Sequence, residues 1–294
     1  MPPTTDMSPQ EYLDQTLQSR GYQTTRYKTL NTAYYNKPTP LQQASYSRHI
    51  IDIIKAHNVT KFQQIMMSGI SSNPCNTFGE SSLHMVCRRG DATLLKILLS
   101  DDVKTELHVA DDYGRTPLHD ACWASEMAKD VLNLILQENT AENIYMFYME
   151  DARGALPLSY VHKTQYAEWI QYIDSVKDQY WPIVTSPVMG NLLVRQPPHT
   201  RPIIDPMNAL SIELATMVAN GRLEPHEASV IKRNGTNLRA EDETDCETIY
   251  DDDDDEDEES DEEDDSEYDS DEDEDSEDDD VEMIQEMSAI LYKQ

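Results

Sequence analysis

The middle of the chain consists of pairs of short apolar segments in which hydrophobic residues recur at helical spacing. The clearest segment runs from Leu94 to Leu99 and is apolar around most of its circumference, which predicts a helix packed between neighbours on both sides. A second segment of this kind ends at Leu134, Ile135 and Leu136. One helix pair cannot bury such a face alone, and about three stacked pairs are needed. The pattern therefore predicts a stack of helix pairs.

Three stretches of the chain repeat one another with a period near 33 residues. They read FGESSLHMVCRRGDATLLKILL from Phe78, YGRTPLHDACWASEMAKDVLNLIL from Tyr113 and RGALPLSYVHKTQYAEWIQYI from Arg153. A degenerate earlier copy fits from about Ser45, and the equivalent apolar positions, at steps of 32, 35 and 40 residues, are Ile51, Leu83, Leu118 and Leu158. We expect the added residues around Glu126 to Lys129 and at Thr140 to Met149. A period of this size indicates a solenoid.

Local chemistry supports the same helix starts. Pro117 suits the first turn of a helix, where its missing amide hydrogen costs no hydrogen bond and its fixed φ is already helical. Thr116 directly precedes it and can cap the helix. Gly114 lies in the preceding hairpin turn, where a positive φ strains glycine least. Each helix pair is therefore expected to follow a short hairpin.

The middle copy, from Gly114 to His119 with the sequence GRTPLH, closely resembles the ankyrin repeat. The resemblance implies an all-α fold, an ankyrin-type solenoid of about four helix-turn-helix repeats over residues 45–184 with short hairpin loops. It also implies a non-enzymatic adaptor or scaffold that binds a protein partner across the hairpin tips and inner helices, on the concave face.

The expected partner-binding residues follow from that resemblance, because they occupy exposed positions around each turn. Tyr, Trp and Arg dominate the binding energy of many interfaces, although the aromatic residues could instead pack neighbouring hairpins together. The candidates are Phe78, Glu80, Arg88, Arg89, Asp112, Tyr113, Arg115, Trp123, Arg153 and Lys163.

Nearly all of the net charge of −34 belongs to one segment. Of the 57 acidic residues, 30 lie between Glu241 and Asp280, where there is no Lys or Arg. Self-repulsion and low apolar content predict a disordered acidic tail over residues 235–280. The tail could serve solubility alone, or it could add an electrostatic contact. In the alternative function it is the main site of a chaperone or inhibitor of histones or other basic proteins.

Four serines of the tail have an acidic residue three positions further on, which resembles the substrates of acid-directed kinases of the casein kinase type. Phosphorylation would add about 1.5 to 2 negative charges at each site. The motif is short and arises by chance in an acidic run. The candidates are Ser260, Ser266, Ser270 and Ser276.

The segments around the array predict smaller elements. Residues 1–44 form an N-terminal extension with a short helix, which either caps the array or hangs from it. A Pro-rich linker is expected at 185–206, followed at 207–234 by a short helical hairpin that we expect to cap the C-terminal end of the array. Residues 281–294 predict a short amphipathic helix.

The sequence gives no clear sign of catalysis or of cofactor or metal binding. The sequence shows no catalytic motif, so no enzyme activity and no cofactor are expected. Two His-x-x-Cys pairs could offer zinc ligands, but the resemblance places both histidines in structural positions, so no metal is expected. These pairs are His84 with Cys87 and His119 with Cys122.

Location and partner class follow from what the sequence lacks. Neither a signal peptide nor a membrane-spanning run of about 20 apolar residues stands out. We therefore expect a cytoplasmic or nuclear protein that is not secreted, with protein partners and no direct contact with nucleic acid or membrane.

Overall fold

The computed structural model describes residues 7–22, 24–138, 144–184 and 203–235. These residues form a helical solenoid, as the sequence predicts, with two short strands. In chain order the helices and strands are α1 (Pro9–Ser19), β1 (Tyr27–Lys28), α2 (Pro40–Ala44), α3 (Arg48–Lys55), α4 (Val59–Met66), α5 (Ser82–Arg88), α6 (Ala92–Leu99), α7 (Pro117–Trp123), α8 (Lys129–Glu138), β2 (Met149–Glu150), α9 (Tyr166–Tyr180), α10 (Ile212–Ala219) and α11 (Pro225–Gly235).

Three helix pairs, α3/α4, α5/α6 and α7/α8, stack through their apolar faces. Side chains cap several of these helices, since Ser47 accepts a hydrogen bond from the backbone of α3 and Asp91 accepts two from α6. The outer helices bury their leucine-type residues almost completely, as at Leu94, Leu95 and Leu98. Burial on both sides explains why α6 is apolar around most of its circumference.

The first repeat shows a correction to the expected register. Ile50 is completely buried whereas Ile51 is only half-buried, so Ile50 rather than Ile51 is equivalent to Leu83. The turn that follows α3 confirms the shift, because Asn58 donates to the carbonyl of Ile53 just as Asp91 donates to that of Val86. The degenerate copy therefore keeps the apolar spacing of its neighbour.

The fourth repeat departs from the others. Its inner segment, Pro157–Tyr160, is a 3-10 helix, and Ser159 occupies the position of the repeat histidine. A second 3-10 turn, Lys163–Gln165, leads into α9, which is longer than the outer helices of the other repeats and buries Trp169 and Ile173. A terminal repeat has no following neighbour, so it is free to depart from the pattern.

The N-terminal extension starts at the far end of the array. Helix α1 begins with a Ser8–Glu11 capping box and packs on α9, where the hydroxyl of Tyr12 donates to Asp174 at 2.6 Å. Arg20 donates to the carbonyl of Trp181 at 2.7 Å. Leu13 and Leu17 of α1 are fully buried. Helix α1 is thus the cap of the last repeat.

Residues 24–46 are here called the strap. Along this segment the chain contacts the repeats in the order fourth, third and second. Strand β1 pairs in parallel with β2, in the register Tyr27 with Met149. Further on, Tyr34 packs edge-on against His108 with ring centroids 5.2 Å apart. Gln42 then donates to the carbonyl of Asn73 at 3.0 Å. The strap therefore crosses the chain segments that lead into the fourth, third and second repeats.

The C-terminal hairpin, α10 and α11, packs on the first repeat. The hydroxyl of Ser47 donates to the carbonyl of Ala219 at 2.5 Å, and Lys61 forms a 2.6 Å ion pair with Glu224. The expectation that this hairpin caps the C-terminal end was wrong. Helix α1 already covers that end, so the apolar surface still open to a cap is on the first repeat.

Several expectations lie outside the described residues. They are the linker over residues 185–202, the acidic tail with its four serines, and the C-terminal amphipathic segment. Within the part of the chain that the structure describes, no helix combines the length and apolar character needed to cross a membrane.

Candidate partner-binding surface

Three five-residue hairpins of like geometry, here called fingers, precede the inner segments of repeats two, three and four. In each, the first residue donates its amide to the carbonyl of the fifth, at 2.9 to 3.0 Å. The side chain of the first residue also accepts from the backbone of the finger, as Asp111 does from Arg115 at 2.7 Å. The fingers are Asn76–Glu80, Asp111–Arg115 and Asp151–Ala155.

The fingers are joined to one another through their backbones. Asp112 donates to the carbonyl of Phe78 at 2.8 Å, and Ala152 donates to that of Tyr113 at 2.7 Å. Phe78, Tyr113 and Arg153 therefore hold equivalent tip positions along one row. The Phe78 side chain is 62% exposed and that of Tyr113 is 55% exposed. We call the three fingers together with inner helices α5 and α7 the finger face.

The repeat histidines connect each inner helix to the next finger. The Nδ1 atom of His119 accepts from the backbone amide of Thr116 at 3.0 Å, so the proton is on Nε2, which donates to the carbonyl of Ala155 at 3.3 Å. His84 repeats this arrangement with Ser81 and the carbonyl of Arg115. Both ring nitrogens are thus used in structural bonds.

The cysteines of the two His-x-x-Cys pairs are core residues. Cys87 and Cys122 are buried, and burial raises the pKa of both thiols. A buried neutral thiol behaves as a small hydrophobe. Among the described residues, no group of three or more His, Cys, Asp or Glu side chains could hold a metal ion.

The buried His119 predicts a specific pH dependence. Burial lowers its pKa to about 4, against about 6.5 in an unfolded chain. As pH falls, the unfolded chain therefore takes up the proton first. The contribution of neutral His119 to the free energy of unfolding is complete above about pH 6.5 and is lost as pH falls towards 4. Between pH 6.5 and 5 the free energy of unfolding should fall by about 2 kcal/mol for this reason.

The variant His119→Gln should remove this part of the pH dependence, as measured by urea unfolding at several pH values. The matched control is His162→Gln, because His162 is exposed. If the free energy of unfolding depends on pH equally in the wild type and in His119→Gln, His119 is not the buried neutral group described here.

Two arginines of the finger face are held by carboxylates and aromatic rings. Arg88 bonds Glu80 at 2.7 Å and Asp120 at 3.0 Å, and its guanidinium lies 5.2 Å from the ring centroid of Trp123. Burial disfavours the charge on Arg88, but the carboxylates of Asp120 and Glu80 outweigh burial and raise its pKa.

Arg115 repeats this arrangement on the next finger. It bonds the buried Asp111 at 2.7 Å and lies 5.5 Å from the ring centroid of Tyr113. Burial raises the pKa of Asp111, and the nearby Arg115 opposes that shift. These ion pairs link neighbouring repeats or brace a finger, so their loss would affect stability as well as binding.

The ten predicted partner-binding residues therefore divide into two groups. The half-buried ones, which already have partners within the protein, are Glu80, Arg88, Arg115 and Trp123. The exposed ones are Phe78, Arg89, Asp112, Tyr113, Arg153 and Lys163. Arg89 also donates to the carbonyl of Lys55 at the end of α3.

Sequence reasoning missed the buried acids Asp111 and Asp120. Asp111 carries a detectable signal, because Asn76 and Asp151 occupy the same finger position and all three accept from their own finger. The sequence gives no sign that Asp120 is buried, since a carboxylate directly after the repeat histidine is expected at the surface. Only its contact with Arg88 of the preceding repeat explains its burial.

The fold and the finger geometry define a protein of stacked ankyrin-type repeats. In agreement, the family model for ankyrin repeats (3 copies) matches residues 50–145. Residues 50–145 are therefore ankyrin repeats. No curated protein and no solved structure matches the chain significantly. Ankyrin repeats are protein–protein interaction modules, which directs the functional question to the exposed surface.

Proposed function

We propose that this protein is a non-enzymatic adaptor that holds a partner protein on its finger face, with a second, electrostatic contact from the acidic tail. One observation carries the proposal. Two large aromatic side chains, Phe78 and Tyr113, are more than half exposed on fingers that the backbone bonds to each other. Exposed aromatic side chains on a rigid support can bury large areas at little entropic cost.

The arrangement of the array supports the same choice of face. The strap crosses the segments that lead into the fingers. Helix α1 packs on α9 of the last repeat, and the hairpin of α10 and α11 packs on the first repeat. The finger tips are left exposed. Ankyrin repeats as a class present the corresponding face to protein ligands, and the three tips form a continuous row.

Affinity capture from a cell lysate tests the proposal. The double variant Phe78→Ala/Tyr113→Ala should reduce the capture of a specific partner by at least about tenfold, since interface aromatics often contribute about 2 kcal/mol or more. Both residues are exposed, so the array should stay folded. Tyr35→Ala is the matched control, because Tyr35 is an exposed aromatic residue of the strap. Undiminished capture by the double variant would overturn the proposal.

A second candidate function rests on the 30 acidic residues between Glu241 and Asp280. In this alternative the tail is the main site and binds histones or other basic proteins. Capture through the tail should weaken steeply from low to moderate salt and vanish on deletion of residues 241–280. Capture through the fingers should persist under both changes, so the same assay separates the two functions.

A further inference from the structure

The finger face places guanidinium groups between aromatic rings and carboxylates at two positions. Arg88 lies over Trp123 and bonds Asp120, and Arg115 lies over Tyr113 and bonds Asp111. A guanidinium suits such positions because it stacks on a ring face while its planar N–H groups bond a carboxylate. Both positions are filled by the protein's own side chains.

Phe78 and Asp112 are neighbours at the tips of adjacent fingers, joined through their backbones. Asp112 of the second finger donates its amide to the carbonyl of Phe78 in the first finger at 2.8 Å. Phe78 is the most exposed aromatic side chain of the described residues, and Asp112 is also exposed. Among the described residues, no cationic side chain lies over the Phe78 ring.

Charge at this position favours a cation. Besides Asp112, the neighbouring fingers carry the carboxylates of Glu80 and Asp111, which pair with Arg88 and Arg115, whereas Asp112 has no ion-pair partner among the described residues. Burial and then the adjacent Asp111 raise the pKa of Asp112, while the nearby Arg115 opposes the shift. A cation that pairs with the Asp112 carboxylate would favour its charged form.

We propose that the cluster of Phe78, Asp112 and Tyr113 binds an arginine side chain of the partner protein, stacked on the Phe78 ring and paired with the Asp112 carboxylate. This inference rests on the proposed function and specifies its ligand as a basic, arginine-bearing segment. Lysine fits less well, because its ammonium group cannot stack as a plane or bond a carboxylate through two N–H groups.

Fluorine NMR of the full chain labelled with 4-fluorophenylalanine tests the cluster directly. The chain has 3 phenylalanines, and two of them, Phe62 and Phe147, are buried and serve as internal references. The probe is acetyl-Gly-Arg-Gly-amide. It should shift the Phe78 resonance saturably and leave the other two unchanged. The lysine peptide should bind more weakly, and the glutamine peptide should cause no shift.

Variants assign the effect. Phe78→Leu identifies the resonance. Asp112→Asn should weaken arginine-peptide binding about fivefold, the size expected for one exposed ion pair. Asp101→Asn removes an exposed carboxylate from the loop after α6 and should leave binding unchanged. Deletion of residues 241–280 should also preserve the Phe78 shift.

The inference is overturned if the Phe78 resonance does not move, if the glutamine peptide shifts it equally, if Asp112→Asn binds as the wild type does, or if the shift needs the tail. Failure here is distinguishable from failure of the proposed function. If the capture assay still depends on Phe78 and Tyr113, the finger face holds a partner through other chemistry.

Discussion

Replacing Tyr34 with alanine is expected to lower the free energy of unfolding by about 3 to 5 kcal/mol, the range for truncating a large buried aromatic side chain. Tyr34 belongs to the strap, is fully buried and packs against His108 of a distant repeat. Its loss would leave a cavity between the strap and the array. Urea unfolding followed by tryptophan fluorescence measures the change.

The neighbouring residue supplies the control for Tyr34→Ala. Tyr35 is 43% exposed, so Tyr35→Ala should change the free energy of unfolding by less than about 0.5 kcal/mol. The two variants remove the same side chain from adjacent positions of the strap. If Tyr34→Ala changes the free energy of unfolding as little as Tyr35→Ala does, the strap is not an integral part of the folded array.

A second large effect is expected for Gly69→Ala. Gly69 has a φ of +101°, and a Cβ atom there would lie 2.1 Å from the carbonyl oxygen of Asn208. The carbonyl of Gly69 also accepts a 2.8 Å hydrogen bond from Leu210. The backbone cannot yield without breaking this contact, so the hairpin of α10 and α11 should leave the first repeat. Limited proteolysis should then cut within residues 203–235 at least about tenfold faster, which corresponds to about 1.4 kcal/mol of lost docking energy.

Gly154→Ala is the matched control for Gly69→Ala. Gly154 has a φ of +80°, but no heavy atom lies within 4 Å of its potential Cβ atom. This variant carries only the backbone strain of about 1 to 2 kcal/mol. It should leave the proteolysis of residues 203–235 unchanged. Equal rates for the two variants would contradict the docking of the hairpin on the first repeat.

The sequence predicts the array well because the repeat pattern is local. The GRTPLH run fixes a turn, a cap and a helix start within six residues, and the apolar spacing of α6 requires neighbours on both sides. For the first repeat the sequence pattern predicts Ile51 at the buried position, one residue away from the observed Ile50. Four isoleucines occur within Ile50 to Ile54, so hydrophobicity alone did not separate the buried residues from the half-buried one.

The ends of the array could not be predicted in the same way. Helix α1 reads as a capped amphipathic helix, but nothing in its sequence says that it packs on α9, more than a hundred residues away. The order of segments along the sequence predicts that the hairpin of α10 and α11 caps the C-terminal end of the array, whereas it packs on the first repeat. Packing between distant segments depends on which apolar surfaces remain uncovered, and only the folded array shows this.

The candidate surface was predicted in part. The resemblance leads to the exposed tips Phe78 and Tyr113, which remain proposed contacts. It also includes Arg88 and Arg115, whose buried partners Asp120 and Asp111 only the structure shows. An arginine near a turn looks the same in sequence whether it faces a ligand or a buried carboxylate, so the two roles separate only when burial and contacts are known.

The claim that a partner protein lies on the finger face is tested most directly by hydrogen–deuterium exchange of the intact chain, with and without the captured partner. With the partner bound, we expect slower exchange in the fingers Asn76–Glu80 and Asp111–Arg115 and in the adjoining turns of α5 and α7. Slower exchange confined to residues 241–280, with unchanged fingers, would contradict it.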